Sequence, residues 1–390
     1  MVEHRPVAGE DVDAHRRIRR YAFHAADGPD PEDEDGPTIG QPFGLYDDGT
    51  LVSIAKHYAF DARLRGEWVD LAGLGAVATP PAYRDQGYAR RSLQASVERL
   101  ADEETPLVAL WPFETAFYRQ FGWTTANYVH RFDCHADALT EFDVDSGTFH
   151  PVGPDDWESL EAVHLAAGDG ETLSVRRSEQ WWRNRILRQW GQDRRHAYRY
   201  DRAGTPAGYL AYEVEDGTLS VAYMGAVDYD ALRALLSFVG RHRAQIETVA
   251  FERAEGAALL DVLSRPQDVE CTLTPGPMVR ATDVAMALEA VSYPDTVEAD
   301  VTLTVTDPLV PDNAGQYRLR VADGRGVVES DPDTDSDARI GVAGLSGLIV
   351  GARDATATAR AGSVEFVDTG VERTLDELFP TERVFLREFF

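Results

Sequence analysis

Lysine is nearly missing from this chain. Lys56 is the only one in 390 residues, so Arg supplies almost all of the positive charge, and 67 Asp and Glu bring the net charge to −29. Such a balance excludes a nucleic-acid partner, because phosphate backbones demand a basic face. An Arg-for-Lys, acid-rich surface of halophilic type suits a salty cytoplasm, where screening weakens self-repulsion. Cysteine is scarce as well: Cys134 and Cys271 stand far apart without a CxxC pair, which argues against a disulfide scaffold and for two buried small hydrophobes. No run approaches the roughly 20 apolar residues of a membrane span. The first residues, "MVEHRPVAGEDVDAHRRIRRYAF", lack the apolar core of a signal peptide. The histidines show no metal-ligand spacing, so no metal is assigned. The expectation is a cytoplasmic protein that meets neither membrane nor nucleic acid.

What is present is enough for several packed cores. Apolar residues make up 43% of a chain longer than one usual domain. "AGEDVDAHRRIRRYAFHAA" has helical period, with Val12, Ile18, Tyr21 and Ala22 assigned to one face. "FGLYDDGTLVSIAKHYAF" reads as two strands around an Asp-Asp-Gly turn, and "EWVDLAGLGAVAT" as a third strand. A helix from Gly87 to about Ala101 follows, then strand "PLVALWP", short helix "ETAFYRQFGW" and strand "TTANYVHRFDC". Helices alternating with strands in this order predict an α/β layer fold with a mixed sheet.

The junction "AVATPPAYRDQGYARRSL", Ala76 to Leu93, carries the first chemical signal. A strand stopped by Pro80 and Pro81 feeds a helix N-terminus, whose unpaired N–H groups and positive dipole end suit an anion. Gly87 lets a large anion approach the backbone, and Arg84, Arg90 and Arg91 add charge. An ordinary amphipathic helix, with Gly87 easing helix–strand packing, is the plainer alternative.

Arg84-Asp85-Gln86-Gly87-Tyr88-Ala89 resembles the pyrophosphate loop of GCN5-related N-acetyltransferases, the GNAT superfamily. "FETAFYRQFGW" is similar to a segment of the enhanced intracellular survival (Eis) acetyltransferases. "VRATDVAMALEAVSY" and "LTVTDPLVPDNAGQYRL" resemble the start of that subgroup's sterol-carrier-like domain, and the aromatic end "FLREFF" also matches. The resemblance implies an α/β (α+β) chain of tandem GNAT folds with mixed sheets, followed by a sterol-carrier-protein-like domain. The divisions are 1–132 for the catalytic domain, 133–278 for a degenerate GNAT-like copy and 279–390 for the carrier-like domain. In the second copy the matching helix starts "AVDYDALRALL", where Asp228 and Asp230 would cap the helix and repel a pyrophosphate.

The resemblance also implies acetyl-CoA as co-substrate and a primary amine, aminoglycoside- or polyamine-like, as acceptor. Val77, Ala78 and Thr79 would pair with the pantetheine arm. Asp85, Gln86, Gly87, Tyr88, Ala89 and Arg90 would hold the diphosphate, and Phe113 and Glu114 would contact the cofactor near the acid. Asp85 stands where a basic residue is common, which makes the loop less positive. Tyr118 would be the general acid and the terminal carboxylate of Phe390 the general base. Both roles are needed because an ammonium must lose a proton to become a nucleophile and a departing thiolate must gain one. Glu388, and Asp27 and Asp30 in the loop "DGPDPEDEDG", are candidates for drawing in a cationic amine. The family further implies a homo-oligomer, hexamer or trimer. The competing reading is a non-catalytic carrier or scaffold that binds a hydrophobic ligand through its last domain.

Overall fold

The computed structural model describes residues 2–9, 11–23, 39–140, 142, 147–188, 195–254, 257–261 and 263–390. Asp27 and Asp30 lie outside the described residues. By contact the chain forms two compact units, one of 1–127, 171–173 and 276–390, the other of 128–170 and 174–275.

The first unit opens with a strand the periodicity did not reveal, β1 (Val2–Pro6), which pairs antiparallel with β2 (Gln41–Asp47). Helix α1 (Asp11–Phe23) forms where the helical period predicts it, but on a different face. Val12 and Tyr21 are exposed, and the buried residue is His15, whose ring nitrogen meets the Ala55 carbonyl at 3.4 Å. A neutral imidazole, held at a pKa of about 4 by burial, packs as an apolar group although the pattern counts it as polar. The hairpin β2–β3 (Thr50–Leu64) turns at Asp48 and Gly49, both with positive φ, as the Asp-Asp-Gly signal requires.

β4 (Glu67–Ala78), α2 (Tyr88–Asp102), β5 (Leu107–Leu110), α3 (Thr115–Arg119) and β6 (Thr124–Thr125) follow. The sheet runs β1-β2-β3-β4-β5, then the strand Met278–Ala281, then β6. A strand from late in the chain thus completes a sheet begun at its N-terminus. On α2, Tyr88, Ser92, Leu93, Ser96, Val97 and Leu100 form the buried stripe of a 3.6-residue period. The core under it joins Leu93, Val97 and Leu100 to Tyr118, Phe121 and Trp123, and Leu309 and Val310 of the carrier-like segment share it.

That segment adds its own sheet, in the order Arg325–Ser330, Gly315–Ala322, Ala299–Thr306, Ala338–Gly341, Val364–Phe366. Arg280 and Asp307 form an ion pair with both side chains fully buried. Arg280 also donates to the Phe121 carbonyl at the end of α3's turn, and Asp307 accepts from Leu309 N at 2.8 Å and Val310 N at 3.0 Å.

The second unit holds a seven-stranded sheet, from the edge strand Val269–Pro275 through Tyr128–His135 to Thr148–Pro151. Cys134 is buried, as expected, but Cys271 is exposed, because it lies on that edge strand. The helix Tyr229–Gly240 is capped by Asp228, which accepts from Ala231 N at 2.9 Å and is gripped by Arg202 at 3.0 and 2.5 Å. Arg202 holds the Asp228 carboxyl below the usual range.

Candidate active site

β4 departs from regular pairing where the chemistry is expected. It stays paired with β3 up to Ala78, opposite Ile54, but pairs with parallel β5 only from Leu71 to Gly73. The two strands part beyond Gly73. β4 also carries a bulge: Gly75 faces Lys56 and Ala78 faces Ile54, so three steps oppose two. The extra residue brings Ala76 to a φ of 50°, a region that costs an L-residue on the order of 1–3 kcal/mol. Val77, Ala78 and Thr79 are half-buried at the strand end. Ser53 Oγ lies 3.1 Å from both the Ala78 carbonyl and Thr79 Oγ1, which fixes this stretch from the β3 side.

The loop beyond is built from backbone. Asp85 has φ of 61° and Gly87, the N-cap of α2, has φ of 78° with no side chain capping the helix. A Cβ at Gly87 would meet nothing within 4 Å. The start of α2 therefore offers N–H groups to open space, the arrangement that takes an anion. The arginines are placed less simply. Arg84 Nε donates to the Thr79 carbonyl at 3.2 Å, and Arg90 Nη2 donates to the Pro308 carbonyl at 2.6 Å. Gln86 donates to the Ala82 carbonyl at 3.2 Å, and Tyr88 is anchored through its hydroxyl to Asp47 at 2.6 Å. Ala89 is half-buried behind them.

Tyr118 lies on α3 in a nest of rings, with centroids 5.1 Å from Phe117, 5.6 Å from Phe113 and 6.0 Å from Trp123. It is 3% exposed, and burial alone pushes its phenol well above the ordinary value. Phe113 is exposed. Glu114 has a local task, since its carboxylate caps α3 by accepting from Ala116 N at 3.1 Å.

Phe390 lies on the same sheet. Its carbonyl carbon and oxygen would each be 3.1 Å from a Cβ on Gly75, beside the bulge, and its ring would be 2.8 Å from one on Gly73. The ring sits between Tyr58 at 5.3 Å and Phe60 at 5.2 Å. Phe389 points outward, half-exposed, against Trp111 at 5.5 Å. Glu388 is fully buried, and Trp111 Nε1 donates to its carbonyl at 2.6 Å. Sequence reasoning missed Tyr58, Phe60 and Trp111, the bulge at Ala76, and the glycines that admit Phe390. No local signal marks them, because they become neighbours only when the chain end returns to β4.

A parted β4 and β5, a bulge, and an uncapped glycine turn opening a helix define the class: an acyl-CoA-dependent acetyltransferase domain of GNAT type. Family models agree. Residues 3–126 and 173–281 each match an acetyltransferase (GNAT) domain, and 284–387 match a sterol carrier protein domain. The chain belongs to the GNAT acetyltransferases, as a tandem member with a sterol carrier protein domain at its C-terminal end. Solved structures share the whole fold. A conserved protein from Enterococcus faecalis V583 aligns over 100% of both chains with TM-score 0.88 and 21% identity. A GCN5-related N-acetyltransferase from Anabaena variabilis does so with 0.84 and 20%. Eis1 from Mycobacterium abscessus, also over 100% of both chains, gives 0.79 and 24%. None of the curated proteins compared with the chain matches it. No helix among the described residues is long and apolar enough to cross a membrane.

Proposed function

We propose that this acetyltransferase moves the acetyl group of acetyl-CoA to a primary amine, with the Phe390 carboxylate as general base and Tyr118 as general acid. The observation that carries the reading is the approach of the Phe390 carbonyl end to Gly75, beside the bulge where β4 leaves β5. There an acetyl thioester could pair with the free side of Val77, Ala78 and Thr79. Its diphosphate would take the backbone N–H groups from Gln86 to Arg90, since Arg84 and Arg90 already hold carbonyls. Phe113 and Glu114 flank the thioester end.

A free α-carboxylate titrates near pH 3.5 and is a weak base in water, but burial among apolar rings raises its basicity. Phe390 is 7% exposed between Tyr58 and Phe60, which supports that environment. Tyr118 stays protonated throughout the working range, so it can hydrogen-bond to the developing thiolate and hand over its proton as the C–S bond breaks. We further propose a polyamine- or aminoglycoside-like acceptor, a homo-oligomeric state and a saline cytoplasm, and division of labour among segments 1–132, 133–278 and 279–390. The Asp228 cap, with Arg202 bound to it, supports a central segment without CoA. Appending Gly-Ser after Phe390 tests the base. Turnover should collapse while acetyl-CoA still binds, and an extended chain with full turnover would refute the assignment.

A further inference from the structure

The approach of Phe390 to β4 depends on a buried carboxylate that no catalytic argument uses. Glu171 has a fully buried side chain and belongs, with Thr172 and Leu173, to the first unit, although it comes from the central stretch of the chain. Leu173 N donates to the Arg63 carbonyl at 2.7 Å and Arg65 N to Thr172 Oγ1 at 3.3 Å, which dock these residues on the end of the β3–β4 hairpin. Along them runs the last segment of the chain. Arg383 and Val384 pair in parallel with Glu171 and Thr172, and Phe385 N donates to the Thr172 carbonyl at 2.9 Å.

Two guanidiniums of that segment converge on the one carboxylate. Arg383 Nη2 lies 2.9 Å from Glu171 Oε1, and Arg387 Nη2 lies 3.0 Å from both carboxylate oxygens. Further bonds fix the path on either side. Arg65 Nη1 donates to Glu382 at 3.3 Å, Asn127 Oδ1 accepts from Leu386 N at 3.2 Å, and Trp111 holds the Glu388 carbonyl. Only Glu388 and Phe389 separate the doubly bonded Arg387 from Phe390.

We infer that Glu171 is a positioning residue, a clamp that works through Arg387 and Arg383 to set the Phe390 carboxylate at the parting of β4 and β5. This rests on the reading of that carboxylate as the base. Glu171 touches neither substrate nor reacting atoms; its effect is on where the last three residues lie. Orientation of this kind is steep, with a displacement of about 1 Å at a reacting group costing on the order of 10²-fold in rate. The clamp gives the central segment a role independent of any CoA site of its own, since it supplies the anchor for the chain end.

The test uses the full chain with Glu171→Gln, Arg387→Ala and Arg387→Lys, each made alone and on the Gly-Ser-extended background. Acetyl-CoA affinity is read by calorimetry, folding by thermal unfolding, and turnover by thiol release. Glu171→Gln and Arg387→Ala should lower kcat on the order of 10²-fold, with acetyl-CoA affinity within about twofold, and Arg387→Lys should recover part of the loss. On the extended background, where the carboxylate is already gone, the same substitutions should change residual turnover by less than about twofold. A folded Arg387→Ala or Glu171→Gln protein with kcat near that of the parent overturns the clamp. So does an equal further loss on the extended background, which would mark a general structural defect. If the extended parent is fully active, the base assignment falls and the clamp with it. If extension abolishes turnover while the clamp variants do not, the clamp alone falls. Arg387→Ala, at the partly exposed partner, keeps the test decisive should Glu171→Gln fail to fold.

Discussion

The carbonyl carbon of Phe390 lies 3.1 Å from the point where a side chain on Gly75 would begin. Two positions 315 residues apart thus meet just beyond Gly73, where β4 leaves β5. Gly75 is required there for space, since its φ is ordinary. A methyl group would also sit 3.1 Å from the Tyr58 ring, so neither neighbour offers an easy retreat. Gly75→Val is expected to lower turnover at least tenfold while leaving acetyl-CoA affinity within about twofold. Steady-state kinetics beside calorimetric titration checks this, and unchanged turnover would mean that the chain end is not in the transfer site.

Gly87 is a different kind of glycine. No protein atom would meet its Cβ, so what excludes a side chain is its φ of 78° and the proposed diphosphate. Gly87→Ala should cost about 1 kcal/mol of stability from the left-handed backbone and little else. Gly87→Glu adds negative charge at the helix start and should abolish acetyl-CoA binding in calorimetry with the fold retained by circular dichroism. Parental affinity in the glutamate variant would remove the loop assignment.

Tyr118→Phe keeps the ring packing against Phe113, Phe117 and Trp123 and removes only the hydroxyl. Turnover should fall between about 10² and 10⁴-fold, with acetyl-CoA affinity nearly unchanged. A loss within twofold would show that another group serves the leaving thiolate.

Three histidines make a prediction for acid stability. Burial lowers His15 and His4 to about 4 and His57 to about 3, and Arg99 adds to the lowering at His4 and His57. Above an ordinary pKa of about 6.5 all are neutral in both folded and unfolded chains and contribute nothing to the pH dependence. As pH falls from about 6.5 toward 4 the unfolded chain binds protons that the native chain refuses, so stability drops across that window. Denaturant midpoints should fall over that range before most carboxylates protonate. Replacing His57, whose Nε2 lies 3.0 Å from Ser96 Oγ, by Gln should flatten part of the slope while costing stability at neutral pH.

The fully buried Arg280–Asp307 pair is predicted to show the asymmetry of buried charges. Asp307→Asn leaves a guanidinium without its counter-charge beneath the Phe121 carbonyl and should destabilise by about 3–5 kcal/mol. A joint Arg280→Met, Asp307→Leu variant should recover part of that loss. Chemical denaturation reads both, and a single variant as stable as the parent would show that the pair carries no such charge.

Much of this protein was readable along the chain. The Asp-Asp-Gly hairpin, the glycine at the head of α2, the acidic cap at Asp228 and the ring-rich α3 are local: turn chemistry, capping and period need only neighbours a few residues away. What the chain order could not reveal is where distant segments close. The strand Met278–Ala281 enters the first sheet between β5 and β6, Leu309 and Val310 join the core under α2, and Glu171 holds Arg387. His15 takes the buried face of α1 because burial keeps its imidazole neutral while the Ala55 carbonyl pairs with a ring nitrogen, which no hydropathy pattern registers. Residue type and short spacing set the elements and marked the loop for an anion. The bulge at Ala76, the space at Gly75 and the path of the last eight residues are decided by pairing across hundreds of positions, where burial and hydrogen-bond satisfaction choose among partners that sequence leaves equal.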